Sequence, residues 1–201
     1  MLRDMFACVL PSVLAFLCGF YCLLHSWFNA FAEMLTFADR LFYEDWWTQS
    51  QYSHFYRSWN LVVHTWLREY IYKPLSPRTG KMFATLTVFL VSALAHEVVL
   101  AASFGFFYPV LFVEFGVIGL LVVPLTAVGG RRHPDFYNFL IWLSFFVGNG
   151  LMWSLYPMEH FARQNCAPAE TDSFFVPKSW SCPRVVIKPN WTFHNPFSLG
   201  N

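Results

Sequence analysis

Charge is the scarcest property of this sequence. Only 12% of its residues are Asp, Glu, Lys or Arg, whereas 56% are hydrophobic and 21% are aromatic. Ordinary soluble domains carry about twice that share of charge, and a soluble core of this size cannot hide so much apolar surface. The formal net charge of +1 also argues against nucleic acid as a partner. The composition therefore favours a membrane protein.

Several chemical motifs are missing as well. The sequence contains no Gly-x-Ser-x-Gly elbow, and no cysteine lies near His64 or His96 in sequence, so no activated nucleophile stands out. It has no HExxH and no paired CxxC, so we expect no metal site. No glycine-rich loop that could cradle a phosphate is present. The segment Met1–Asp4 is short and the apolar run after it is long, so we expect no cleavable signal peptide.

Long uncharged runs are what the sequence has in abundance. They extend between Asp4 and Glu33, from Met82 to Gly130, and from Phe136 to Met158. At about 20 residues per crossing, the second run is long enough to cross twice. Its only charged residues are Glu97 and Glu114, and its turn is expected at Phe106–Pro109. We predict an all-α bundle with four spans in residues 1–158, plus interfacial or re-entrant helices.

Basic residues orient these spans. They concentrate in the connection Asp39–Lys81 and in the short connection Val128–Asp135, and the turn near Pro109 has none. Because Lys and Arg are retained on the cytoplasmic side, both basic connections are predicted to be cytoplasmic. The tail of residues 159–201 is then lumenal.

The tail contains two signals that depend on a lumenal location. Cys166 and Cys182 flank a Pro-containing loop, and an oxidising lumen would permit a disulfide between them, although two free thiols remain an alternative. Asn190 begins an Asn-Trp-Thr triplet, a weak glycosylation pattern.

The connection between the first two spans is too aromatic for a solvated loop. Such residues belong at membrane–water interfaces, so Ser58–Tyr72 is predicted to form an interfacial or re-entrant helix. On that helix Asn60 and His64, four residues apart, would share one face. An aromatic interfacial anchor would look similar.

His96 is the most unusual polar residue of the spans. It lies fourteen residues after Met82, or about 21 Å along a helix, near the middle of a membrane. Ionisable groups at that depth usually serve a function. The alternative is a structural pair of His96 and Glu97 bonded to neighbouring helices, with Glu114 or the triplet Gly148–Gly150 as partners. A neutral imidazole can accept a proton from an alcohol, and an Asn amide can donate to a carbonyl oxygen. These groups suit direct attack of a lipid hydroxyl on an acyl thioester.

Several motifs carry a family resemblance. The segment Phe42-Tyr43-Glu44-Asp45-Trp46-Trp47 resembles the FYxDWW signature of the acyl-CoA-dependent membrane-bound O-acyltransferases. The runs YRSWNLVVHTWL, SALAHE, FFYPVLFV and FVGNG, and the tail pattern from Cys166 to Cys182, are similar to the sterol O-acyltransferases of that family.

The resemblance implies roles for individual residues. His96 would be the base that takes the proton of the sterol 3-hydroxyl, and Asn60 would polarise the thioester carbonyl. His64, Lys81 and Ser92 would line the access route of acyl-CoA from the cytosol. The motif residues, namely Phe42, Tyr43, Asp45, Trp46 and Trp47, would brace that tunnel.

The resemblance also implies an environment. Acyl-CoA would be a co-substrate and no cofactor would be needed. The sterol would arrive from the bilayer of the endoplasmic reticulum, and the protein would form homodimers or dimers of dimers. Val98 and Thr48 depart from the family pattern. By the same resemblance, we expect the chain to correspond to the C-terminal half of the family fold, without its N-terminal half. Acylation of diacylglycerol or a fatty alcohol, and a non-catalytic membrane fragment, remain alternatives.

Overall fold

The computed structural model describes residues 2–166 and 173–182, and within these residues the chain is helical, with no strand. The α-helices of the described residues are α1 (Leu2–Phe20), α2 (Phe28–Met34), α3 (Tyr52–Trp59), α4 (Leu61–Leu67), α5 (Lys73–Thr79), α6 (Lys81–Phe104), α7 (Val110–Phe112), α8 (Leu120–Arg132) and α9 (Pro134–Asn165). Three π-helical segments join consecutive α-helices without a break: Tyr21–Trp27, Arg68–Tyr72 and Val113–Gly119. Short 3₁₀ turns lie at Trp46–Thr48 and Lys178–Trp180.

Four continuous helical stretches are long and apolar enough to cross a membrane. They are Phe6–Met34, Lys81–Phe104, Val110–Arg132 and Pro134–Asn165. The prediction of an all-α bundle with four spans is confirmed. The second and third spans are joined by a turn that starts at Gly105, whose φ of 76° ends α6 in a conformation that glycine adopts most easily.

The spans bury little of their surface within this chain. Between 17 and 22% of the residues in the most apolar window of each span are buried. Large apolar side chains such as Leu125 and Leu94 are exposed along them. A surface of this kind is stable against lipid or against other apolar helices, and unfavourable against water.

The connection between the first two spans docks on the end of α8. The Ser50 hydroxyl donates to the Gly130 carbonyl (2.9 Å), and the Tyr52 amide donates to the Thr126 hydroxyl (3.1 Å). A Cβ at Gly130 would overlap the Ser50 carbonyl and lie 2.7 Å from Cγ of Gln51. Glycine is therefore required at residue 130 for this close approach.

The start of the tail folds back onto the end of α9. A disulfide joins Cys166 to Cys182, with 6.1 Å between their Cα atoms. The fully buried Glu159 carboxylate accepts from Arg163 Nε (2.7 Å) and from the Lys178 and Ser179 amides (2.8 and 2.9 Å). These contacts attach residues 173–182 to the helix.

Two predictions about the tail stay open. Helix α9 continues through Met158 to Asn165, so the division between a span region of residues 1–158 and a tail of residues 159–201 stays a prediction. The predicted glycosylation residue Asn190 lies outside the described residues.

Candidate active site

His96 lies on the second span, and two contacts fix its ring. Its Nδ1 is 2.7 Å from the Ser92 carbonyl oxygen one turn earlier. The ring stacks on Phe115 of the third span, with centroids 4.9 Å apart and planes 15° apart. A carbonyl oxygen can only accept, so Nδ1 carries the proton of the neutral ring and Nε2 carries the lone pair. The side chain is exposed, and Nε2 makes no hydrogen bond to any described residue.

The Glu97 side chain is buried inside the protein, unlike the exposed His96 ring. It is 1% exposed and accepts from the Tyr156 hydroxyl (3.0 Å to Oε2) and from the Phe112 amide (3.2 Å). The Tyr156 hydroxyl in turn accepts from the Leu111 amide (3.3 Å). Glu97 thus has the structural role that the alternative interpretation gave it, although its partners are not Glu114 or the glycine triplet. His96 does not pair with it.

Asn60 lies at a break between helices. Its φ and ψ of −148° and 96° are extended, α3 ends at Trp59, and α4 begins at Leu61. The prediction of one helix over Ser58–Tyr72, with Asn60 and His64 on one face, is therefore wrong. One cause is local: the Asn60 side-chain oxygen accepts from the Val63 amide (3.1 Å), the capping bond by which asparagine starts a new helix. Because Oδ1 makes this bond, the Nδ2 amino group is the end left to donate elsewhere.

His64 follows in the first turn of α4. Its amide donates to the Asn60 carbonyl (2.9 Å), so the two residues are neighbours despite the helix break. Burial lowers the pKa of the His64 imidazole, and the nearby cations Arg57 and Arg68 lower it further. His64 is therefore held in its neutral form.

The FYxDWW segment holds the helix break in place. The Phe42 carbonyl accepts from the Leu61 amide, and the Glu44 amide donates to the Ser58 carbonyl, each at 2.9 Å. These bonds flank Asn60 on both sides. The motif thus positions the backbone that carries the candidate amide.

Trp46 is the core of this segment. Its ring is 5% exposed and lies within 6.0 Å, centroid to centroid, of six other rings: Phe20, Trp47, Phe55, Trp59, Trp142 and Phe145. Apart from the neighbouring Trp47, these rings come from the first span, α3 and the fourth span. Burial of such large aromatic side chains is a main source of packing energy.

The other motif residues contribute hydrogen bonds. The Trp47 carbonyl accepts from Asn138 Nδ2 (2.9 Å) and Trp142 Nε1 (3.0 Å) of α9. The Tyr43 hydroxyl lies 3.1 Å from His25 Nδ1 of the first span. Asp45 precedes the 3₁₀ turn, and its carbonyl accepts from the Thr48 hydroxyl (3.0 Å).

Aromatic rings connect the Asn60 region to His96. Tyr56, one turn before Asn60, lies 5.3 Å from Phe89 of α6 and 6.2 Å from Phe115. Phe115 is the residue that stacks on His96. No hydrogen bond joins Asn60 directly to His96 among the described residues.

The predicted acyl-CoA residues of α6 share a face with His96. At 3.6 residues per turn, Lys81, Ser92 and His96 fall within about 60° of one another around the helix axis, and they extend over about 22 Å. Lys81 is exposed at the first turn, and Ser92 also supplies the carbonyl that orients the imidazole. His64 lies on a different helix.

The third span contributes two residues that motif analysis missed as site residues. Phe115 fixes the His96 ring, and no local pattern distinguishes it from other apolar residues. Glu114 was noted only as a possible partner of Glu97. Its Oε1 is buried with no hydrogen-bond partner, and its carboxylate lies beside Gly148 of α9. Asn149 donates to the Phe145 carbonyl (2.9 Å) of its own helix.

A metal ion requires a group of ligand side chains that lie close together. No group of three or more His, Cys, Asp or Glu residues lies close enough to bind one within residues 2–166 and 173–182.

The sequence of residues 1–157 matches the family model of the membrane-bound O-acyltransferases. The chain belongs to the membrane-bound O-acyltransferase family. This family member therefore has an imidazole inside a span and an amide at a helix break. A buried aromatic segment braces that helix break.

Curated relatives narrow the comparison within the membrane-bound O-acyltransferases. The chain is similar to sterol O-acyltransferase 1 of Chlorocebus aethiops, at 45% identity over 90% of this chain and 33% of the relative. It is also similar to sterol O-acyltransferase 2 of Rattus norvegicus, at 44% identity over 86% of this chain and 33% of that relative. Sterol O-acyltransferase 2 of Homo sapiens is 43% identical over 86% of this chain and 34% of its own length. The chain spans about a third of the length of these relatives.

Proposed function

We propose that the protein containing this chain transfers a fatty acyl group from acyl-CoA to the 3-hydroxyl of a sterol, giving a steryl ester. The observation that carries the proposal is the imidazole of His96, which lies inside a span and whose Nε2 has no hydrogen-bond partner among the described residues. The chain resembles sterol O-acyltransferases over most of its length. Acyl-CoA is the co-substrate, and the chemistry needs no cofactor.

His96 acts as the general base. Its Nδ1–H is fixed on the Ser92 carbonyl, so the lone pair of Nε2 is available to the sterol hydroxyl. As Nε2 takes the proton, the sterol oxygen attacks the thioester carbonyl carbon. The tetrahedral intermediate collapses, the carbon–sulfur bond breaks, and the CoA sulfur takes the proton from the imidazolium. The products are a steryl ester and free CoA thiol.

Asn60 stabilises the charge that develops on the thioester oxygen. Its Oδ1 caps α4, which leaves Nδ2 to donate toward that oxygen. The bonds from Phe42 and Glu44 on either side hold the Asn60 backbone, so the donor is positioned before the reaction. Preorganisation of this kind is what makes such donors effective.

Acyl-CoA reaches the site along the face of α6 that carries Lys81, Ser92 and His96. The second span begins at Lys81, and the third span ends with Arg131 and Arg132. By the positive-inside rule, this basic side of the two spans faces the cytosol. The Lys81 ammonium suits the negatively charged phosphates of CoA. The imidazole of His64 adds a polar contact. The sterol enters laterally from the bilayer of the endoplasmic reticulum, and the protein works as a homo-oligomer.

The test uses the full-length protein in microsomes that lack other esterifying activity. Radiolabelled acyl-CoA is supplied with a sterol, diacylglycerol or a fatty alcohol, and the labelled lipids are separated. We expect steryl ester from the wild type and a loss of about 10²-fold or more for His96→Ala, the size of a general-base contribution. His54→Ala, a change of another exposed histidine that contacts neither His96 nor Asn60, is the control.

Two outcomes would contradict the proposal. Retained ester synthesis by well-expressed His96→Ala protein removes the assignment of the base. Label that appears in triglyceride or wax ester but not in steryl ester removes the sterol as acceptor.

A further inference from the structure

Glu114 is an exception among the carboxylates of the spans. Glu97 and Glu159 are both fully buried, and each accepts hydrogen bonds at both oxygens. The Oε1 of Glu114 is equally inaccessible to solvent, yet it has no partner among the described residues. Leaving a buried carboxyl oxygen without a donor is costly, so a donor is expected to arrive from outside the chain.

The described surroundings of Glu114 supply no donor to this oxygen. Its carboxylate lies against Gly148 of α9, where a Cβ would lie 3.5 Å from Oε2, so this residue offers no side-chain donor. The neighbouring Asn149 amide is turned to its own helix. No Lys or Arg lies between Met82 and Gly130, so neither the second nor the third span offers a cation inside the membrane.

Glu114 lies on the same turn as a residue that contacts the candidate base. It immediately precedes Phe115, whose ring stacks on His96. Glu114 and Phe115 both belong to the π-helical segment Val113–Gly119, and such segments occur frequently at functional sites. Gly116 brings this segment close to α6, since a Cβ there would lie 3.3 Å from Cβ of Ala93. The turn that carries Glu114 is thus packed closely against the helix that carries His96.

We propose that Glu114 is an acceptor-binding residue whose carboxylate receives the hydrogen bond of the lipid hydroxyl before that hydroxyl moves to His96. This inference rests on the proposed function and adds a docking step to it. The hydroxyl has one proton, which is bonded first to Glu114 and then to Nε2 of His96 when the thioester is in place. The product ester has no hydroxyl proton, so Glu114 holds the alcohol but not the ester.

The experiment compares a sterol with its 3-methyl ether, which has the same rings but no donor. In the full-length protein we measure the KM for the sterol, the KM for acyl-CoA, and the inhibition constant of the methyl ether. We expect Glu114→Leu to raise the sterol KM about tenfold, because the hydrogen bond from the sterol hydroxyl is lost. The KM for acyl-CoA and the inhibition constant of the methyl ether should stay within about twofold of wild type.

Two variants serve as controls. Glu114→Gln keeps an oxygen that accepts, so its sterol KM should rise by no more than about threefold. Val113→Leu changes an exposed apolar side chain of the same segment and should change none of the three constants. In the wild type, a sterol with a photoactivatable diazirine near its hydroxyl should label the peptide that contains Glu114, and unlabelled sterol should compete.

Three results would overturn the inference. In one, Glu114→Leu raises the KM for acyl-CoA or the methyl-ether constant as much as the sterol KM, which is the result of a structural role. In another, the sterol KM is unchanged. In the third, the diazirine labels only other peptides, a result that stands even where Glu114→Leu does not fold. None of these results affects steryl ester synthesis by the wild type, so the proposed function fails or holds separately.

Discussion

The Tyr156 hydroxyl offers the sharpest test of how the spans are held together. Tyr156 is 3% exposed, and its hydroxyl both donates to the buried Glu97 carboxylate and accepts from the Leu111 amide. It therefore connects α9 to α6 and to the start of the third span. Tyr156→Phe removes one oxygen atom and leaves the ring packing of the cluster with Phe106 and Tyr108 intact.

The expected cost follows from the bonds that are lost. A hydrogen bond to a charged group contributes about 1.5–3 kcal/mol, and a buried amide left without an acceptor costs about 1 kcal/mol or more. The free energy of unfolding should therefore fall by about 2–4 kcal/mol for Tyr156→Phe. For a domain of this size, that corresponds to a melting midpoint lower by about 5–15 °C.

The assay heats detergent-solubilised full-length protein and measures the fraction that remains monodisperse by size-exclusion chromatography. Tyr108→Phe is the matched control, because Tyr108 is also buried in the cluster and its hydroxyl makes no hydrogen bond to the described residues. A midpoint for Tyr156→Phe that falls no further than that of Tyr108→Phe would refute the role of the Glu97 network.

Three further predictions concern packing, the tail and charge. Gly130→Ala should strongly reduce the yield of folded protein because its Cβ would overlap a carbonyl, whereas Gly19→Ala, with nothing within 4 Å of its Cβ, should express normally on the same fluorescence-based assay. Cys182→Ser should lower the free energy of unfolding by about 3 kcal/mol and abolish the mobility shift on non-reducing gels, and an unchanged gel would argue against the disulfide. Since burial and neighbouring cations lower the pKa of His64, its diethyl pyrocarbonate reactivity should persist below pH 6.5. Arg57→Gln should raise the pH at which that reactivity is lost, and an unchanged midpoint would exclude the electrostatic contribution.

The pH effect on stability has a definite sign. The pKa of His64 is lower in the folded protein than in the unfolded chain. As the pH falls below about 6.5, the unfolded chain takes up the proton first. The contribution of the His64 imidazole to the free energy of unfolding is therefore fully present above that pH. It is lost as the pH falls toward the pKa of His64 in the folded protein.

The helix break at Asn60 shows where sequence reasoning stops. The run Ser58–Tyr72 has the aromatic content and spacing of one helix, and the sequence offers no proline or glycine to interrupt it. Besides the local capping bond of the Asn60 side chain, the break depends on the Phe42 carbonyl, eighteen residues earlier, which binds the Leu61 amide. A bond between distant backbone groups leaves no local signature, so the pattern alone could not predict it.

The sequence by itself determined the environment of this protein and the residues that stand out in it. Long uncharged runs, basic connections and the FYxDWW and SALAHE segments predicted four spans, the family resemblance and His96, because apolar length and short motifs are local properties. Only the tertiary structure separated His96 from Glu97, turning one toward an open face and the other into a network with Tyr156. It also paired Phe115 with the imidazole and left Glu114 without a donor, since such contacts arise where different spans meet.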